Sequence, residues 1–258
     1  MWEEALGPGV SVKDIQDPLF MKYQLQQMEE MMEASMNHPS IMLWGWFNEG
    51  PSDDPKACPG YAACAQLAAK DPTRFRSWAS STKVKDKCLE HATVVSFNDY
   101  PAWYTYQHDL SAPARTWDAY AAWAKEQFPS KPFLMSETGA AGIYEWANES
   151  DNLWSLRYQQ EVIERDVDTA LSNQNISGLT LWHFFDFKGN DAAQRCGPCH
   201  YLPDFLPPVC GWYNMTGDCS SRPGGMNHKG VVDFYRRKKP VFDVVKAKYA
   251  RAASAIVI

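Results

Sequence analysis

No stretch of this 258-residue chain runs to 18 uninterrupted apolar residues, so the sequence offers no membrane-spanning helix. It also lacks a basic run. Its 25 Lys and Arg stand against 31 Asp and Glu, a net charge of −6, which argues against nucleic acid or an anionic membrane as partner. No glycine-rich phosphate loop follows any apolar run, which removes the main support for a dinucleotide-binding sheet. Residues 1–10 show neither the basic n-region nor the apolar core of a signal peptide. The expectation is therefore either a cytosolic protein or a chain whose natural N-terminus lies upstream. With 45% hydrophobic and 22% charged residues, disorder, collagen-like repetition and coiled coil are excluded. Aromatics are the residues in surplus: 11 Trp, 12 Tyr and 12 Phe, whose flat apolar faces suit sugars or bases.

Seven cysteines fall into three groups: Cys58 with Cys64, Cys88 alone, and Cys196, Cys199, Cys210 and Cys219. The last group opens with a C-x-x-C as zinc sites do, but its second pair does not repeat that spacing. Disulfides bracing loops are the favoured reading, because N-x-S/T acceptors at Asn148, Asn175 and Asn214 point to a secretory or extracellular location. An odd count leaves one thiol over, most simply Cys88, unless a partner lies outside the chain. Residues from about 192 to 226, rich in Cys, Pro and Gly, read as a long loop insertion, either a cover on the strand ends or a disulfide-braced flap.

Asp17-Pro18 is a helix start, with an N-cap carboxyl followed by proline at the first helical position. Phe20, Tyr23, Met28 and Met31 then recur at helical spacing, a stripe expected to pack as core, and Asn37-His38-Pro39 stops the helix. The run 41–47 (IMLWGWF) is continuously apolar, which marks a strand buried on both faces in a parallel sheet. Further strands are expected at 75–79, 93–97, 132–136 and within 176–185. Helices are expected at 62–69, 117–128, 152–171 and 240–252, with Trp154, Tyr158, Val162 and Ala170 facing inward along the third of these. Alternating strands and helices give an α/β architecture, with polar residues following each strand.

Two carboxylates end buried strands: Glu49 after the 41–47 run and Glu137 after the 132–136 run. They lie 88 residues apart, three strand–helix steps of about 29 each, close to the roughly 31 residues per step of a (β/α)8 barrel. One carboxyl that keeps its proton beside aromatic walls can act as a general acid. Opposite it, an ionised carboxylate can act as a nucleophile, and that pair is the minimum equipment for glycoside cleavage. A lone Asn-Glu at a strand end more often just caps the next helix. The second Glu, the spacing and the aromatics together argue for chemistry.

At these residues the chain resembles the barrel domain of glycoside hydrolase family 2. Asn37 to Trp44 with Asn48-Glu49 is similar to the family's acid/base signature, and Lys131 to Gly139 to its nucleophile signature. Asn98-Asp99-Tyr100-Pro101-Ala102-Trp103-Tyr104 resembles its N-x-Y-x-x-W-Y segment. Leu181 to Phe187 resembles the last strand, and Lys229 to Asp233 with Arg236 to Pro240 the closing turn. The resemblance spans nearly the whole chain and implies a partial (β/α)8 TIM barrel, about strands 4–8 with their helices. Trp2-Glu3-Glu4 would end the third strand, with the first three strands and the family's β-rich domains upstream.

By that resemblance Glu49 is the general acid/base and Glu137 the nucleophile of a retaining exo-β-glycosidase. Asn48 holds the sugar 2-hydroxyl, Tyr100 bonds the nucleophile, and Tyr104 and Trp182 line the sugar site. Trp103 either packs or touches the substrate, and His183 stands where relatives commonly carry Asn. The triplet Asn227-His228-Lys229 resembles the feature by which β-glucuronidases of the family grip the C6 carboxylate, with Arg222 as a third donor. The alternatives are a β-galactosidase-like enzyme, in which Lys229 only builds the turn, and a non-catalytic carbohydrate-binding remnant of a truncated barrel. A carbohydrate is the expected partner in each case. Cofactor, metal and nucleic acid have no part in the leading reading, and a homo-oligomer is compatible with it.

Overall fold

The computed structural model describes residues 1–5, 7–146, 151–189 and 222–255. The described chain forms two compact units. The first comprises Met1–Asp99, Arg115–Glu137 and Ala170–Thr180, and the second Tyr100–Ala114, Thr138–Thr169 and Leu181–Ile258.

The first unit is built on parallel strands. β1 (Trp2–Glu4), β2 (Leu43–Gly45) and β3 (Phe75–Ser77) pair in that order, and β4 (Val95–Asn98), β5 (Phe133–Thr138) and β6 (Gly178–Leu181) likewise. A parallel bridge between Ser80 and Phe97 joins the two sets. The strands therefore follow one another in chain order with no reversal. A doubly wound sheet reverses its order at the cleft, whereas a barrel does not.

The helix starts at Asp17-Pro18 and at Pro240 are as read from the sequence. The helices expected from 62, 117 and 152 begin instead at Cys58, Ala112 and Leu156, and a short helix before Asp17 was not expected. α1 (Val12–Gln16) is closed by a capping box between Ser11 and Asp14. α2 (Pro18–Ser35) starts where the Asp17 carboxyl accepts from the Leu19 N–H. Met28 is buried and Phe20 and Met31 pack against the core as expected, but Gln24 and Met32 are buried as well, while Tyr23 is exposed. The inward stripe thus runs at i, i+4 and i+8 from Gln24, one position beyond Tyr23. α3 (Cys58–Ala68) and α4 (Ala112–Gln127) complete this layer, and Trp117, Ala121 and Ala124 of α4 are fully buried. Trp44, Trp46, Phe47, Tyr61, Trp78 and Phe97 fill the core, so the run 41–47 is buried on both faces of the sheet except at Met42.

In the second unit α5 (Leu156–Ser172) packs Tyr158 and Val162 against Tyr100, Trp103 and Ala140. Trp154 precedes this helix and meets the Trp103 ring edge-on, with centroids 4.8 Å apart. A short antiparallel ribbon pairs β7 (Phe187–Lys188) with β8 (Met226–Asn227), and α6 (Pro240–Ala255) ends the described chain. Lys239 is wholly buried. Its ammonium donates to Asp186 Oδ1 at 2.8 Å and to the carbonyls of Gly142 and His228, so the charge is paired and hydrogen-bonded as burial requires.

The cysteines correct one expectation. Cys88 is bonded to Cys58, and the thiol left over is Cys64, buried within α3. The 30-residue separation hid the pair, because folding returns the loop after β3 to the start of α3. Closing a loop of this size takes about 3–4 kcal/mol of chain entropy out of the unfolded state. Burial pushes the Cys64 thiol up to about 12, which keeps it protonated and unreactive. Cys196, Cys199, Cys210 and Cys219, and most of the expected insertion at 192–226, lie outside the described residues, as do Asn148 and Asn214.

Candidate active site

The first unit carries Asn48, Glu49 and Glu137. Immediately after β2 the backbone turns through two residues of positive φ, Phe47 at 50° and Glu49 at 53°. Neither is glycine, and a bulky side chain in that region costs on the order of 1–3 kcal/mol, strain that concentrates where side chains must be aimed. The turn is clamped by Glu49 N–H donating to the Ala79 carbonyl (2.9 Å) and Gly50 N–H to the Phe47 carbonyl (3.0 Å). Beneath it lies an aromatic floor in which Tyr61 meets Phe47 at 5.2 Å and Trp78 at 4.6 Å between ring centroids.

Two neighbouring elements hold the turn from either side. A Cβ on Gly7 would fall 2.4 Å from the Asn48 amide nitrogen, so only glycine lets the two backbones approach this closely. Glu4, at the end of β1, accepts from the Asn48 N–H. Its carboxyl, exposed along one side, is nonetheless pushed up to about 7 by desolvation, against the effect of that hydrogen bond. The loop beyond β3 is tied by Asp86, which accepts from Trp78 Nε1 (2.9 Å), Ser80 Oγ (2.7 Å) and Cys88 N–H (2.8 Å). Burial raises the Asp86 carboxyl above its ordinary range despite these donors.

Glu137 occupies the penultimate position of β5, in register with Asn98 of β4, and its carbonyl accepts from the Asp99 N–H at 3.0 Å. Asn98 is the residue whose role the sequence reading missed. Its side-chain amide donates to Asn48 Oδ1 at 3.1 Å and to Glu49 Oε1 at 3.0 Å, and its Oδ1 accepts from Ser136 Oγ at 2.8 Å. The motif N-x-Y-x-x-W-Y contained it, but no local pattern tells which of its members touch residues 50 positions away.

The second unit gathers Tyr100, Tyr104, Arg222, Asn227 and Lys229. Lys229 is buried, and its ammonium donates to the Tyr104 hydroxyl at 2.7 Å. It also lies over the rings of Tyr104, Tyr100 and Trp103 at 4.5, 5.3 and 5.3 Å from their centroids. Arg222 Nη1 reaches the same hydroxyl at 3.3 Å. With both acceptor positions of its oxygen facing cations, Tyr104 is left to donate its own proton, and it is half exposed. Trp103 is buried in the core of this unit with Tyr100, Tyr158 and Val162.

Asn227 is also buried, and its Oδ1 accepts from the Lys229 N–H at 3.2 Å. The His183 imidazole bonds the Asn227 side chain, and burial lowers the His183 pKa, so the ring is neutral near pH 7. Trp182 is partly exposed and meets the His183 ring at 5.2 Å. This cluster can offer an ammonium, a phenol and an amide to one small anionic group. Among the described residues no cluster of His, Cys, Asp and Glu has the make-up of a metal site.

The chain is similar to known proteins in both sequence and fold. The family model "Glycosyl hydrolases family 2, TIM barrel domain" matches residues 6–197. Among solved structures, a GH2 β-galacturonidase from Eisenbergiella tayi bound to galacturonate is 32% identical, with a TM-score of 0.78 over 97% of this chain and 40% of its own. A β-D-glucuronidase of Dictyoglomus thermophilum shares the fold at 24% identity and a TM-score of 0.74, over 91% of this chain and 36% of its own. The β-glucuronidase of Rattus norvegicus is 26% identical over 98% of this chain and 35% of the rat protein. This chain thus spans little more than a third of the length of such relatives. On the family match across most of its length, together with parallel strands in chain order, the chain belongs to the TIM barrel domain family of glycosyl hydrolases family 2.

Proposed function

We propose that this chain is the catalytic part of a retaining β-glycosidase that acts on β-uronides, the glycosides of sugars carrying a C6 carboxylate. In this reading β1 is the end of the third barrel strand and β2 to β6 are the fourth to eighth. Glu137 attacks the anomeric carbon and Glu49 protonates the leaving oxygen, then deprotonates the water that frees the sugar. Asn48 holds the 2-hydroxyl. Tyr104, Asn227 and Lys229, with Arg222 at the rim, receive the carboxylate.

The observation that carries the reading is buried Lys229, whose ammonium donates to the Tyr104 hydroxyl and whose backbone N–H donates to the Asn227 side chain. A buried ammonium that shares the Tyr104 hydroxyl with Arg222 is a cationic setting suited to a uronate carboxylate, and a neutral hexose has no charge to match it. The similar β-galacturonidase and β-glucuronidases act on sugars of this class by their names. The test is a panel of aryl β-glucuronide, β-galacturonide, β-glucoside and β-galactoside, with NMR of the product released first. Hydrolysis of a uronide with the β-anomer appearing first is expected. Turnover of the neutral sugars alone would establish the β-galactosidase-like alternative, and turnover of none would establish the non-catalytic remnant.

The compartment is proposed to be secretory or extracellular, on the Cys58–Cys88 disulfide and on the Asn175 acceptor, which is exposed in a turn. Non-reducing peptide mapping of the protein from its source should find those two cysteines linked and a glycan on Asn175. A reduced pair and an unmodified Asn175 would place the protein in a reducing compartment.

A further inference from the structure

Within the first unit one side chain joins both halves of the carboxylate pair's surroundings, and no motif gives it a task. Asn98 is buried at 2% exposure, and every polar atom of its side chain is engaged. Its two amide N–H groups go to Glu49 Oε1 and Asn48 Oδ1. Its carbonyl takes the proton of Ser136, the residue before Glu137. Its backbone N–H is bound to the Ser80 carbonyl at 2.9 Å, so the side chain projects from a fixed point of β4.

We propose that Asn98 is the positioning residue for the acid/base step, an inference that rests on the glycosidase reading of Glu49. The argument is one of hydrogen-bond capacity. A carboxylic acid holds its proton on one oxygen, and an oxygen that already accepts from an amide is the poorer place for it. With Oε1 engaged by Asn98, the acid proton resides on Oε2, the oxygen left for the glycosidic bond. The opposite amide orientation would point the Asn98 carbonyl at Glu49. It could be satisfied only by the very proton that the leaving group needs. Asn98 also occupies the Asn48 carbonyl oxygen, which turns the donor side of that amide away from Asn98 and toward a sugar hydroxyl. One buried amide therefore sets the polarity of both residues.

The experiment compares Asn98→Ala, the isosteric Asn98→Asp and Ser136→Ala on uronides with alkyl and dinitrophenyl leaving groups. Thermal melts of each variant check the fold. For Asn98→Ala, kcat/KM should fall about 100-fold on the alkyl glycoside, the lower end of general-acid contributions. It should change only a few-fold on the dinitrophenyl glycoside, whose leaving group needs no proton. Asn98→Asp keeps the shape but loses both donors, so it should show the same leaving-group dependence. Ser136→Ala frees the amide to turn and should show it to a smaller degree, and this variant stands in should either Asn98 substitution fail to fold. Equal losses on both substrates, or an alkyl rate preserved in Asn98→Asp, would overturn the proposal. If the unsubstituted protein cleaves no uronide, the functional reading fails first, and that outcome is separately visible.

Discussion

Glu137→Gln should lower kcat on every substrate by at least about 10⁴-fold, the scale of losing a covalent nucleophile. The replacement is isosteric, and the backbone that carries it is secured independently by the Asp99 N–H bond to the Glu137 carbonyl. The fold should therefore survive while the chemistry does not. What disappears is the group that forms the glycosyl ester, and no property of the leaving group compensates for that. Glu49→Gln should behave differently: kcat/KM should fall severely on alkyl glycosides and little on dinitrophenyl ones, whose kcat falls at the hydrolysis of the glycosyl-enzyme and is partly restored by azide, which needs no general base. A 2-deoxy-2-fluoro uronide with an activated leaving group should label the unsubstituted protein on the peptide containing Glu137. Leaving-group dependence at Glu137 and a uniform loss at Glu49 would exchange the two roles.

Lys229→Ala should lower kcat/KM for a β-uronide by about 2–5 kcal/mol, the range for removing one partner of a buried charge pair. That corresponds to a loss of roughly 30- to 5,000-fold. The matching β-glucoside or β-galactoside should change far less, because a hydroxyl at C6 never drew on the charge. Lys229→Met separates charge from packing, since its unbranched chain keeps contact with the faces of Tyr100, Trp103 and Tyr104. If both sugars lose activity in parallel, Lys229 is bracing Tyr104 and the turn, and the uronide specificity falls.

Part of this protein could be read from its sequence because β2 and β4 are buried on both faces. Residues 41–47 are apolar without alternation, and β2 is correspondingly buried throughout. Asp17-Pro18 marked a helix start to the residue, since an N-cap and a first-turn proline act within a few positions. Both strand-end Glu were visible because they interrupt apolar runs. What escaped was non-local. Asn98 gains its role from residues 48, 49 and 136, and nothing in its own neighbourhood encodes them. Cys88 looked solitary because its partner lies 30 residues back along the chain. Tyr23 was placed inward with Phe20, Met28 and Met31, which do meet the core, because the polar Gln24 that is buried in its stead does not read as a core residue.

The positive φ angles of Phe47 and Glu49 also constrain how the acid/base residue can be probed or redesigned. β-Branched replacements resist that conformation, so Glu49→Val, Ile or Thr would distort the turn as well as remove the carboxyl. An inactive variant of that kind carries no information about proton transfer. Asparagine tolerates left-handed backbone better than most residues, and glycine adopts it without strain. Glu49→Asn and Glu49→Gly are therefore cleaner deletions of the acid than bulkier choices. A library built at this position will be filtered first by backbone conformation and only then by chemistry, with the same filter acting on Phe47 two residues earlier.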